Sequence, residues 1–178
     1  MPGLATVAGA AALRGFTHAV ASGEPAADSM LLWTRYVPAD GGTVELRVEM
    51  AETADFARVV GGGAQITGPW RDHTAKVTAD GLQPGRRYHY RFVAPDGSFS
   101  PVGRTRTLPG DGVRPWRAAI FSCSNMGYGW FNAYGHVAAR DDIDCVVRLG
   151  NYSTNMRPTI TRPPRTRCRG AYRCPRAS

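Results

Sequence analysis

WRAAIFSCSN, Trp116 to Asn125, decides how this chain is read. Ala118, Ala119, Ile120 and Phe121 make a short apolar run without alternation, the pattern of a strand covered on both faces. Ser122, Cys123, Ser124 and Asn125 then place a thiol and polar groups at its carboxyl end. Downstream, Trp130, Phe131, Tyr134, Val137 and Ala138 recur at helical spacing, which predicts an amphipathic helix over Gly129–Arg140. A second apolar strand, Cys145 to Leu149, closes on Gly150-Asn151-Tyr152. Strand, helix and strand predict the opening β-α-β of an α/β core. Ligands of such sheets sit just beyond the carboxyl ends of the strands, where Cys123 and Asn151 fall.

Upstream the pattern changes. Phe16 to Ser22 is extended, and Ser29 to Tyr36 (SMLLWTRY) is a strong strand stopped by Pro38. Thr43 to Glu52 alternates, with Val44, Leu46, Val48 and Met50 on one face and Glu45, Arg47, Glu49 and Ala51 on the other. Asp55 to Val60 is ambiguous, and Gly61-Gly62-Gly63 reads as a breaker. His73 to Ala79 alternates again. In GLQPGRRYHYRF, Gly81 to Phe92, a turn leads into Tyr88, Tyr90 and Phe92 at strand period, the pattern of a tyrosine corner. Pro95-Asp96-Gly97 is a turn, and Gly103 to Leu108 gives the last strand. About seven short strands at this spacing predict a β-sandwich. The chain thus divides into five segments: 1–15 a disordered or signal-remnant N-terminus, 16–108 the sandwich, 109–115 a linker, 116–153 a partial α/β domain, and 154–178 a disordered tail.

Charge is unevenly placed. The chain of 178 residues carries a formal +8, but residues 154–178 hold seven arginines and no acid. Residues 1–153 hold 15 basic and 14 acidic side chains, so the basic character belongs to the tail. Those arginines offer phosphate contacts without any motif for sequence readout, and no specific nucleic-acid partner is expected. The tail has no apolar periodicity with which to offset its ordering entropy. The four cysteines are absent from the first 122 residues, so they do not staple the sandwich, and Cys145 reads as a core residue. Cys168 and Cys174 have no partner pair for a zinc site. No run reaches the ~18 apolar residues of a membrane span. Leu4 to Leu13, LATVAGAAAL, has the small apolar residues of a signal remnant but no basic segment before it.

FTHAVASGEP, DSMLLWTR, GLQPGRRYHYRF, VGRTRTLP, IFSCSN, GWFNAY and DIDCVVRLGNY occur in this order between Phe16 and Tyr152. In these stretches the chain resembles the alkaline phosphatase D (PhoD-like) phosphatases. The resemblance implies a mainly β fold: a fibronectin-III/immunoglobulin-like sandwich, then the first β-α-β of a metallophosphoesterase core. It implies a secreted, periplasmic or cell-surface protein, commonly exported by the twin-arginine route, although no twin-arginine motif is present here. It further implies hydrolysis of phosphate mono- and diesters with ferric iron and calcium as cofactors.

Carried over residue by residue, the resemblance makes Cys123 the metal-ligating cysteine and Tyr152 the first tyrosine of an Asp-Tyr-x-Tyr run. Asn151 stands where the bridging aspartate is expected, and Thr154 stands where the second, ligating tyrosine is expected. His18, His73, His89 and His136 match no family ligand. A neutral amide is a weaker ligand than a carboxylate for hard cations, and an alcohol does not replace a phenolate on ferric iron. The expectation is therefore a truncated or frame-shifted relative that binds no metal and has no catalytic residues of its own. The alternative is a non-catalytic β-sandwich serving as a binding or spacer module.

Overall fold

A computed structural model describes residues 13–111, 115–124 and 131–151. Two compact units divide between Arg114 and Pro115. In the first unit the strands are β1 (Gly15–Phe16), β2 (Ala21–Gly23), β3 (Met30–Val37), β4 (Val44–Ala51), β5 (Val59–Thr67), β6 (Thr74–Ala79), β7 (Arg87–Val93) and β8 (Gly103–Arg106). The second unit holds β9 (Ala118–Ser122), α1 (Asn132–Ala138) and β10 (Cys145–Leu149).

The first unit is two antiparallel sheets around one core. β3 is the centre of one sheet, with β1 and β2 antiparallel to it and β6 also pairing with it. The other sheet runs β5-β4-β7-β8. Alternation explains the layering. Val44, Leu46, Val48 and Met50 of β4 point inward, as do Tyr88, Tyr90 and Phe92 of β7. They meet Met30, Leu32 and Tyr36 of β3 and Ala75, Val77 and Ala79 of β6. Ala51, expected on the outer face, is buried, because the register of β4 against β5 shifts between Met50 and Ala51. A bulge of this kind reaims the next side chain.

The glycine run corrects the sequence reading. Gly61, Gly62 and Gly63 lie inside β5, paired with Met50, Glu49 and Val48. A Cβ at Gly62 would stand 2.1 Å from the Val48 carbonyl oxygen, and one at Gly63 would stand 2.8 Å from Val77 Cγ1. Glycine marks close approach here, not a break.

The tyrosine corner is present. Tyr88 is 2% exposed, and its hydroxyl accepts the Gln83 backbone N–H at 2.8 Å. Nearby, Thr107 Oγ1 donates to the Gln83 carbonyl at 2.7 Å and accepts the Arg86 N–H at 3.1 Å. The Leu108 N–H donates to the Ala26 carbonyl. On the outer face, Arg91 pairs with Glu49 at 2.7 Å. Its guanidinium carbon lies 4.2 Å from the Phe56 ring centroid and 4.1 Å from that of Phe99.

In the second unit β9 and β10 pair in parallel, from Ala118 opposite Cys145 to Ser122 opposite Leu149. The unbroken apolar run predicts a strand covered on both faces, yet Ile120 is 66% and Val146 56% exposed. One helix covers one face. The Phe121 ring meets Tyr134 of α1 at 4.6 Å, and the neighbouring residue therefore points the other way. Cys145, expected in the core, is a half-buried free thiol. The helix is shorter than its apolar spacing predicts, and Gly129 and Trp130 lie outside the described residues. None of the described helices is long and apolar enough to cross a membrane.

Candidate functional site

Parallel pairing brings the carboxyl ends of β9 and β10 together. The ladder continues one step past each strand. The Cys123 N–H donates to the Leu149 carbonyl and the Ser124 N–H to the Asn151 carbonyl, both at 3.0 Å. Cys123 adopts φ +46, a left-handed conformation that costs a non-glycine residue about 1 kcal/mol or more. Opposite it, Gly150 has φ +69, and a Cβ there would lie 2.5 Å from Cys123 Sγ. Gly150 is required both for its backbone and for the space the sulfur fills.

The Cys123 thiol is exposed and held below its ordinary pKa. The Asn151 backbone contributes most, then the Ser122 hydroxyl, with the Arg148 guanidinium a lesser influence. Structure therefore places two of the sequence-predicted residues, Cys123 and Asn151, side by side. Tyr152 and Thr154 lie outside the described residues.

Three further residues complete the cluster. Arg148 of β10 donates to the Ser124 hydroxyl, to the Tyr134 hydroxyl and, at 3.0 Å, to the Asn151 carbonyl. Ser124 Oγ and Tyr134 Oη are themselves 2.6 Å apart. The Ser124 hydroxyl first, and then Arg148, draw the Tyr134 phenol below its ordinary pKa. By periodicity Tyr134 is only a helix-face aromatic, and sequence reasoning does not single out Arg148. The available signal is a lone charge in the apolar strand CVVRL, since arginine in such a setting has polar partners.

These residues do not fit an iron and calcium pair. Among the described residues the site offers one thiol, the Asn151 side-chain amide and the Ser124 and Tyr134 hydroxyls; both hydroxyls already accept from Arg148, and the Asn151 backbone carbonyl already accepts two hydrogen bonds. A guanidinium stands among the same oxygens, where a hard cation needs anionic ligands. Among the described residues no group of three or more His, Cys, Asp or Glu converges closely enough to hold a metal ion.

None of the hydrogen bonds described for this cluster involves a histidine. His18 stacks edge-on against Trp33 at 6.2 Å. His73 is buried before β6, with no hydrogen-bond partner for Nδ1, and His136 lies on α1. His73 borders a shallow concavity of the sandwich with Arg35 and Asp72, which form an ion pair at 2.9 Å.

Comparison with known proteins agrees with this architecture. The model of the PhoD-like phosphatase N-terminal domain matches residues 3–109. Alkaline phosphatase D of Bacillus subtilis (strain 168) is 39% identical over 146 residues, covering 77% of this chain and 25% of that protein. The chain thus spans about a quarter of the length of this curated relative. A solved structure of PhoD superposes with TM-score 0.71 at 36% identity, over 82% of this chain and 29% of that one. By its match over residues 3–109, the chain belongs to the PhoD-like phosphatase family.

Proposed function

We propose that this chain supplies the sandwich and the opening β-α-β of a PhoD-like phosphoesterase that acts on phosphate mono- and diesters outside the cytoplasm. By itself the sequence does not hydrolyse them. The observation that carries this reading is the pair of strand ends: the Cys123 thiol stands just past the first parallel strand, and just past the second stands Asn151, an amide, tied to that end through the Ser124 N–H. Cys123 is the metal-ligand position, Tyr152 keeps the first tyrosine of the run, and Asn151 and Thr154 are the positions at which the metal chemistry has weakened. Phosphoester hydrolysis at this kind of site needs cations to polarise the ester and activate the attacking oxygen. An amide and an alcohol at two ligand positions leave too little anionic charge to hold them. Residues 16–108 form the fibronectin-III-like domain, a reading supported by the strand orders β2-β3-β6 and β5-β4-β7-β8 and by the Tyr88 corner. Assay of the purified chain on a phosphodiester with added iron and calcium tests the proposal. The expected rate equals the no-protein blank; metal-dependent turnover abolished by Cys123→Ser would overturn it.

A second reading has its own support. Among the described residues, the core cluster of the sandwich is built from first-unit residues between Phe16 and Ala94, which suits a non-catalytic spacer or binding module.

A further inference from the structure

We infer that Arg148 acts as an internal cation at the end of the β9–β10 sheet, positioning Cys123 and Asn151 and disfavouring a metal ion beside them. The inference rests on the proposed correspondence of this end of the sheet to a metal-holding one.

Geometry supports the first half. Three acceptors of Arg148 among the described residues lie on different parts of the unit: Ser124 just after β9, Tyr134 on α1, and Asn151 just after β10. A guanidinium is a planar fork with five N–H donors, so one side chain can join all three. Its bond to the Asn151 carbonyl falls on the same oxygen that receives the Ser124 N–H. Arg148 thereby fixes the step of the ladder that sets Cys123 against Gly150.

Charge supports the second half. Oxygen lone pairs aimed at a guanidinium are not available to a metal ion. A fixed positive charge close to the thiol also opposes a second cation by direct repulsion. The chain has placed in one side chain both the positive charge and the cross-linking that a bound ion would supply.

Cadmium alone is a suitable probe, because its bond to a thiolate gives an ultraviolet charge-transfer band. The band at Cys123 is isolated by subtracting the same titration of Cys123→Ser. Full-length native chain and Arg148→Lys should bind cadmium weakly at Cys123, whereas Arg148→Gln should bind about tenfold more tightly. In parallel, hydrogen exchange without metal should show the Ser124 amide protected in the native chain. That protection should fall by about tenfold in Arg148→Gln and by less in Arg148→Lys, which keeps the charge but loses the fork. Equal cadmium affinity in native chain and Arg148→Gln overturns the charge role. Native protection that needs added iron or calcium overturns the clamp. If Arg148→Gln does not fold, native chain against Arg148→Lys still decides, because unchanged Ser124 protection in the lysine variant refutes the fork. Exchange is read without metal or substrate, so it judges the clamp independently of whether the chain hydrolyses esters.

Discussion

Asp96 shows what a single turn residue contributes. In sequence it is the middle of Pro95-Asp96-Gly97, and composition alone reads it as a turn former. In the fold its carboxylate accepts the Ser98 hydroxyl at 2.6 Å and the buried Tyr36 hydroxyl at 2.7 Å. Ser98 first, then Tyr36, hold the Asp96 carboxyl below its ordinary value of 3.8. Burial, and then the hydrogen bond to Asp96, push the Tyr36 phenol the other way. A carboxylate whose folded pKa is depressed contributes stability that is fully present above its unfolded pKa. That contribution is lost as pH falls from about 4 through the folded value. Asp72, beside Arg35, and Asp55, beside Thr53, are depressed as well and act in the same direction. Urea denaturation at pH 7, 4 and 3 should therefore show native stability declining in that window. Asp96→Asn should be less stable than native at pH 7, with the gap narrowing by pH 3; a constant gap would remove Asp96 from the acid response.

At the scale of elements, sequence and structure part company where backbones crowd. β4, β6 and β7 are legible because alternation leaves one face to bury, and burial then fixes their register; β3 is legible from its apolar and aromatic run stopped by Pro38. β5 is not legible, since its side chains vanish where it runs closest to Val48 and Val77. The signal for a strand is absent for the same reason the strand fits. Gly62→Ala should accordingly cost about 2 kcal/mol or more, because the obstacle is a carbonyl oxygen that cannot rotate aside. Gly23→Ala, in β2 with open space around it, should be neutral or slightly stabilising. Chemical denaturation of both variants checks the contrast, and equal losses would contradict it. The β9-α1-β10 unit is legible in order and in parallel sense. Its helix length and the exposure of Ile120 are not, because an apolar run does not state how many of its faces will be covered. Cys123 and Asn151 are legible from the rule on strand ends. Arg148 is not, since its partners are brought together only by the fold.

Over the whole molecule, the core assigned to the first unit draws on residues from Phe16 to Ala94. A chain of residues 13–111 should therefore fold by itself and melt in one cooperative transition by circular dichroism. A broad, non-cooperative melt would show that the sandwich depends on the second unit for its stability. The way this unit ends has a mechanical consequence. β8 is a four-residue edge strand paired with β7, a geometry that a pull from its far end would unzip one bond at a time. Thr107 and Leu108 lie between β8 and that end, tied to Gln83, Arg86 and Ala26. Any load entering from the C-terminal side must break this small fastening first, and break it in several places at once. Thr107 is then less a packing residue than the catch that keeps tension out of the sheet.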